Sequence, residues 1–158
     1  MKRILFVCHG NICRSPMAEM IMKDMVRKVG LEADFEIASA ATSTEEIGNP
    51  IYPPAKRELE AHGIPAEARS ARRMTKADYE KYDLLVGMDD ANLRNMRSIA
   101  RLAIGEEGKV HSLLEFAPDD YPRKGCSVAD PWYTGDFAIT YDDITAGCKG
   151  LLENLIKG

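Results

Sequence analysis

The most constraining feature of the chain is a short apolar run, Ile4 to Val7, that leads through a polar turn into a helix starting near a proline. An unbroken apolar run of this length is the pattern of a strand buried on both faces of a parallel sheet. The turn spans Cys8 to Ser15, and Pro16 suits the first turn of a helix, where its missing N–H costs nothing. Met17, Met20, Ile21, Met25 and Val29 then recur at helical spacing, and Gly30 fits the stop. The same alternation continues. Further strands are expected at Phe35–Ala38, Leu84–Val86 and Val110–Leu113. Helices are expected over Pro54–Ala61, from a Thr75/Asp78 capping box through Tyr82, and after Asp89, with Leu93, Met96, Ile99 and Ala100 on one face. Phe137, Tyr141, Ile144, Cys148, Leu151, Leu152 and Leu155 mark a last amphipathic helix. Ala41–Pro54 and Ala117–Gly135 read as long loops. Strands alternating with helices predict a single doubly wound α/β domain over residues 1–158. In such sheets ligands bind beyond the carboxyl ends of the strands.

Composition narrows the function classes. The chain has 158 residues, 45% hydrophobic and 29% charged, with a formal net charge of −4. That is enough apolar material for a core and too little charge imbalance for a disordered tail. No apolar window has the length of a membrane span, and no secretory signal is expected at the N-terminus. A pI near 5.4 argues against nucleic acid as the main partner, since a phosphate backbone selects for a basic surface. Cys8, Cys13, Cys126 and Cys148 form no C-x-x-C pair, and His9, His62 and His111 are scattered, so neither a disulfide framework nor a metal site is expected.

The turn reads Cys8-His9-Gly10-Asn11-Ile12-Cys13-Arg14-Ser15. A cysteine, five residues and an arginine can curl into a phosphate-binding loop. Its backbone N–H groups point inward, and the following helix contributes its positive end. Gly10 and Asn11 tolerate the positive φ that such a loop requires. Arg14 offers a planar, always charged fork for two phosphoryl oxygens. Cys8, at the floor of this field, is expected as a thiolate, with the Ser15 hydroxyl beside it. A C-x5-R-S run arises by chance roughly 0.012 times in a chain of this composition. Dinucleotide and nucleotide-triphosphate fingerprints are absent: only Gly10 follows the strand, and no Gly-Lys-Ser/Thr occurs. Cysteine-based phosphoryl chemistry also needs an acid for the leaving oxygen. Asp130-Pro131-Trp132-Tyr133 offers one on a loop, with two rings that could line a pocket mouth. The same residues also fit an ordinary Asp-Pro turn.

Taken together, these stretches resemble the low-molecular-weight protein tyrosine phosphatase family. The resemblance runs through Val7 to Glu19, Ser39 to Ser43, Ile47 to Pro50, His62 to Pro65, Met88-Asp89-x-x-Asn92-Leu93 and Asp130 to Tyr133. It implies a four-stranded parallel sheet flanked by helices, and hydrolysis of phosphotyrosine on proteins or peptides through a cysteinyl-phosphate, with no metal or cofactor. By position it makes Cys8 the nucleophile, Arg14 the transition-state clamp and Asp130 the acid and then the base. Asn11 and Ser15 would hold the loop and thiolate, with Ser39 hydrogen-bonded to Asn11. Asp89 would orient Arg14 or the loop, cap its helix, or do both. Cys13 is the expected redox partner of Cys8; Cys126 and Cys148 are expected to be inert. The resemblance also implies a cytoplasmic enzyme, and the expected assembly is a monomer or a weak self-associate.

Two departures stand out. Glu45 occupies a position, two before Ile47, where many relatives have an aromatic pocket wall. It would favour basic residues flanking the substrate, or else be a solvated loop carboxylate. Trp132-Tyr133 replaces the family's common Tyr-Tyr, so one of two regulatory tyrosines is missing. Two other activities share the scaffold. The protein arginine phosphatase branch is expected to carry a threonine at Ile12, and arsenate reductase needs further cysteines where none lies between Cys13 and Cys126.

Overall fold

Seven residues, Lys2–Cys8, form the first strand, β1, and five of them are buried. The structure, a computed structural model, describes residues 1–103, 105–106 and 108–157. After β1 come α1 (Arg14–Lys28), β2 (Phe35–Ala41), α2 (Pro53–Ala61), α3 (Lys76–Lys81) and β3 (Leu84–Gly87). Then follow α4 (Asp90–Ala100), β4 (Val110–Ser112), α5 (Pro131–Thr134) and α6 (Phe137–Lys157). The sheet is parallel throughout, in the order β2-β1-β3-β4. β1 pairs with β2 from Lys2↔Phe35 to Cys8↔Ala41, and with β3 from Ile4↔Leu84 to Val7↔Gly87. The chain therefore leaves β1 first to one side and later to the other. This puts the switch point, and the crevice that goes with it, at Cys8.

Strand alternation divides the core in two. Ile4, Phe6 and Cys8 face a cluster built with Met17, Met20, Ile21 and Met22 of α1, Ala55 and Leu59 of α2, and Ile144, Cys148 and Leu151 of α6. Leu5 and Val7 face Met74, Tyr82, Met96 and Ala100 on the side of α3 and α4. The Thr75/Asp78 capping box is formed, and Asp89 caps α4 by accepting from Asn92 N at 2.8 Å. Gly30 stops α1 with a φ of 74°.

Three local details differ from the sequence expectation. Val29 is 55% exposed, because it lies past the last turn of α1, as its C-cap. β4 ends at Ser112, and Leu113–Phe116 tightens into a 3-10 turn under α6. The loop before α6 contains the one-turn α5, whose N-cap is Asp130. Its carboxylate accepts from Trp132 N at 3.0 Å, and Pro131 sits where a helix needs no N–H.

Candidate active site

The loop after β1 turns on Asn11, a buried residue with a φ of 59°. Asparagine tolerates that conformation better than other side chains carrying a Cβ. The turn aims Asn11 N back at Cys8 Sγ, 3.3 Å away. Ser15 Oγ lies 3.0 Å from the same sulfur and accepts from Asn11 Nδ2 at 2.7 Å. The sulfur thus sits in a pocket of donors at the start of α1, whose first turn carries no acidic side chain to offset its positive end. Cys13 is also buried. Burial first, then Cys8 and Asp130 nearby, push its thiol up to about 12.

Arg14 is only 4% exposed, although it is a cation at a loop end. Its guanidinium donates to Val128 O at 3.1 Å and to Asp89 Oδ2 at 3.0 Å, and Asp130 Oδ2 lies 3.4 Å from it. Asp89 therefore both caps α4 and holds Arg14. Val128 is itself fixed, its N–H donating to Met88 O at the end of β3. The loop, Arg14 and Asp130 enclose a cavity of about 320 Å³, with His9, Glu45, Glu46, Trp132 and Tyr133 at its walls. Trp132 is 61% exposed and packs at 5.3 Å against the ring of Tyr52. Glu45 reaches the cavity and pairs with His9 Nε2 at 3.0 Å, closing one side of the mouth with charge in place of a ring. Among the described residues no group of His, Cys, Asp and Glu could hold a metal ion.

One expected contact is not made. Ser39 does not bond Asn11; its hydroxyl donates to Glu19 of α1 at 2.6 Å. The reason is that Asn11 Oδ1 already accepts from the Arg69 guanidinium and from Arg72 N. Arg69 also donates to Asn11 O at 2.7 Å. Sequence reasoning missed Arg69 entirely. It lies 58 positions from Asn11, in an arginine-rich stretch without a motif, and no local pattern marks it.

A cysteine in a donor-lined loop, a buried arginine and a facing carboxyl, at the switch point of a parallel sheet, define the class: α/β proteins with a cysteine–arginine oxyanion loop. Residues 3–158 match the family model for low molecular weight phosphotyrosine protein phosphatase, and the chain belongs to that family. The low molecular weight protein-tyrosine-phosphatase YfkJ of Bacillus subtilis is 36% identical over 154 residues, covering 98% of this chain and 96% of the relative. Its crystal structure superposes with a TM-score of 0.92 over 99% of this chain and 96% of that one. The low molecular weight phosphotyrosine protein phosphatase of Gallus gallus is 36% identical, with coverages of 96% and 94%. The crystal structure of a Drosophila arginine phosphatase superposes with a TM-score of 0.85 at 28% identity, covering 98% of each chain.

Proposed function

We propose that this protein is a protein tyrosine phosphatase that hydrolyses phosphotyrosine on proteins or peptides through a cysteinyl-phosphate intermediate. Cys8 Sγ, the Arg14 guanidinium and the Asp130 carboxyl converge on one cavity, and this observation carries the reading. The Cys8 thiolate attacks phosphorus in line with the tyrosine oxygen. A sulfur–phosphorus bond forms, and the bond from phosphorus to the phenolic oxygen breaks. Asp130, protonated in this step, gives its proton to the departing phenolate. A water molecule then attacks phosphorus and gives a proton to Asp130, the sulfur–phosphorus bond breaks, and inorganic phosphate leaves. Arg14 and the loop N–H groups hold the equatorial oxygens throughout. They supply the charge stabilisation without a metal or cofactor.

Ile12 stands in the cavity wall and favours tyrosine over arginine as the phosphorylated residue, since the resemblance gives a threonine to the arginine phosphatase branch. The second reading, a protein arginine phosphatase, is supported by the structural match to the Drosophila enzyme of that name. Cys13 lines the same cavity as Cys8, and we read it as the thiol that captures oxidised Cys8 as a disulfide. Among the described residues no helix is long and apolar enough to cross a membrane. A cytoplasmic monomer or weak self-associate, with no nucleic-acid partner, fits this reading.

Phosphotyrosine, phosphoarginine and phosphoserine peptides of one sequence, assayed side by side, test it. The expected result is the highest kcat/KM on phosphotyrosine, with turnover abolished in Cys8→Ser. Preference for phosphoarginine would establish the second reading, and substantial turnover by Cys8→Ser would remove Cys8 from its role.

A further inference from the structure

The segment between Ala117 and Asp130 contains no strand or helix of its own, yet it ends on the residue read as the acid. It is tied to α6 by a buried carboxylate that no catalytic step uses. Asp143 is fully buried. It accepts from Tyr121 OH at 2.6 Å, from Arg123 Nε at 2.9 and 3.1 Å to its two oxygens, and from Ala129 N at 2.9 Å. One turn earlier on α6, Thr140 Oγ1 donates to Ala129 O at 2.9 Å. Ala129 is thus pinned at both its N–H and its carbonyl, and that carbonyl belongs to the peptide bond leading into Asp130. Arg123 extends the knot by donating to Ser127 O at 2.8 Å. Tyr121 keeps its proton, because burial and then the Asp143 carboxylate push its phenol up, so it remains a donor.

We propose that Asp143 is a positioning residue for the general acid. Together with Arg123, Tyr121 and Thr140, it sets where the Asp130 carboxyl stands relative to the leaving oxygen. The inference rests on Asp130 being that acid. A carboxylate suits the position because all four contacts arrive as donors. An amide of the same shape turns one acceptor into a donor facing a donor. Displacement of a catalytic group by about 1 Å costs on the order of 10²-fold.

The test compares Asp143→Asn, Thr140→Val and Asp130→Asn on two substrates, phosphotyrosine peptide and p-nitrophenyl phosphate. The tyrosine phenolate has a pKa near 10 and needs the proton, whereas the nitrated phenolate leaves more easily. Asp143→Asn is expected to lower kcat/KM for phosphotyrosine about 10–10²-fold. The loss on p-nitrophenyl phosphate should be several-fold smaller, and the inhibition constant of inorganic phosphate, which has no leaving group to protonate, should stay unchanged. Thr140→Val should follow the same pattern more weakly. This keeps the test decisive if Asp143→Asn folds poorly. In an Asp130→Asn background Asp143→Asn should cost little more, since the acid it places is already gone. Equal losses on both substrates, or effects that multiply with Asp130→Asn, overturn the proposal and leave Asp143 a fold residue. If Asp130→Asn itself shows no dependence on the leaving group, the acid assignment falls, and this inference with it.

Discussion

Arg69 donates to both oxygens of Asn11, and through Asn11 it acts on the geometry around the sulfur. Asn11 stands in a left-handed conformation and is fully buried, so its two acceptors need partners from within the protein. Arg69 is partly buried to reach them. That burial lowers its pKa from the ordinary arginine value, while Glu19 and Cys8 nearby oppose the shift. Both bonds leave one nitrogen, Nη2, whose two N–H bonds are held in the plane of the guanidinium, whereas an ammonium on a shorter, flexible stem is not fixed in that way. Arg69→Met is therefore expected to weaken binding of inorganic phosphate about tenfold. That corresponds to ~1.4 kcal/mol, close to the lower bound for a hydrogen bond to a charged group. Arg69→Lys should recover only part of it. Titration with phosphate measures both variants, and unchanged affinity in Arg69→Met would show that Asn11 holds the loop unaided.

At the level of elements, α3 is joined to the site through its cap. Asp78 closes the capping box with Thr75 N at 2.8 Å and holds the Arg72 guanidinium through both oxygens at 3.0 and 3.1 Å. The backbone N–H of the same Arg72 donates to Asn11 Oδ1 at 3.3 Å. Burial by itself would raise the Asp78 carboxyl. The Arg72 hydrogen bonds and the Thr75 N–H together outweigh it and hold Asp78 below the usual carboxylate range. A carboxyl depressed on folding adds stability that is present above its unfolded pKa and is lost as pH falls through the folded one. Asp78→Ala should accordingly cost about 1–2 kcal/mol at neutral pH, as a lost cap and ion pair do. The difference from the parent should shrink as the solution is acidified through the carboxylate range. Denaturant midpoints at several pH values read this, and a gap that persists in acid would mean that the lost cap, and not the charge, is what counts.

Across the whole molecule, α6 ties the sheet, the loop leading to Asp130 and the 3-10 turn after β4 together, and two glycines let it come close. A Cβ on Gly150 would meet Phe116 O at 1.7 Å, and one on Gly147 would meet the Leu113 side chain at 2.5 Å. The contact at Gly147 falls on the buried Leu113 side chain, with the Leu113 carbonyl oxygen at 3.0 Å; the Phe116 carbonyl is backbone, is met far closer and cannot move without carrying its turn. Gly150→Ala should therefore destabilise by ~3 kcal/mol or more, at the upper end of overpacking costs, even though alanine is the better helix former. The thermal midpoint should fall correspondingly. A rise would mean that helix propensity outweighs the contact. Because α6 also carries Thr140 and Asp143, a shift there would be transmitted to Ala129.

Local chemistry determined a large part of this protein from sequence alone. The run Ile4 to Val7 has the length and apolar character of a doubly covered strand, and Asn11 can take the turn that aims its N–H at Cys8. Thr75 with Asp78, and Asp89 with Asn92, cap helices within three residues of themselves. All of these depend on neighbours a few positions away, so the residue types themselves carry the signal. The partners of the site's polar groups were decided only by tertiary structure. Ser39 turned to Glu19, Arg69 took Asn11, and Arg14 found Val128 O across 114 positions. Asp143 reached the peptide before Asp130, and Glu45 met His9. A buried donor or acceptor must be satisfied, but by which group depends on where the packed helices bring the chain. No spacing in the sequence encodes that meeting, because it is set by the packing of elements and not by the residues that form the bond.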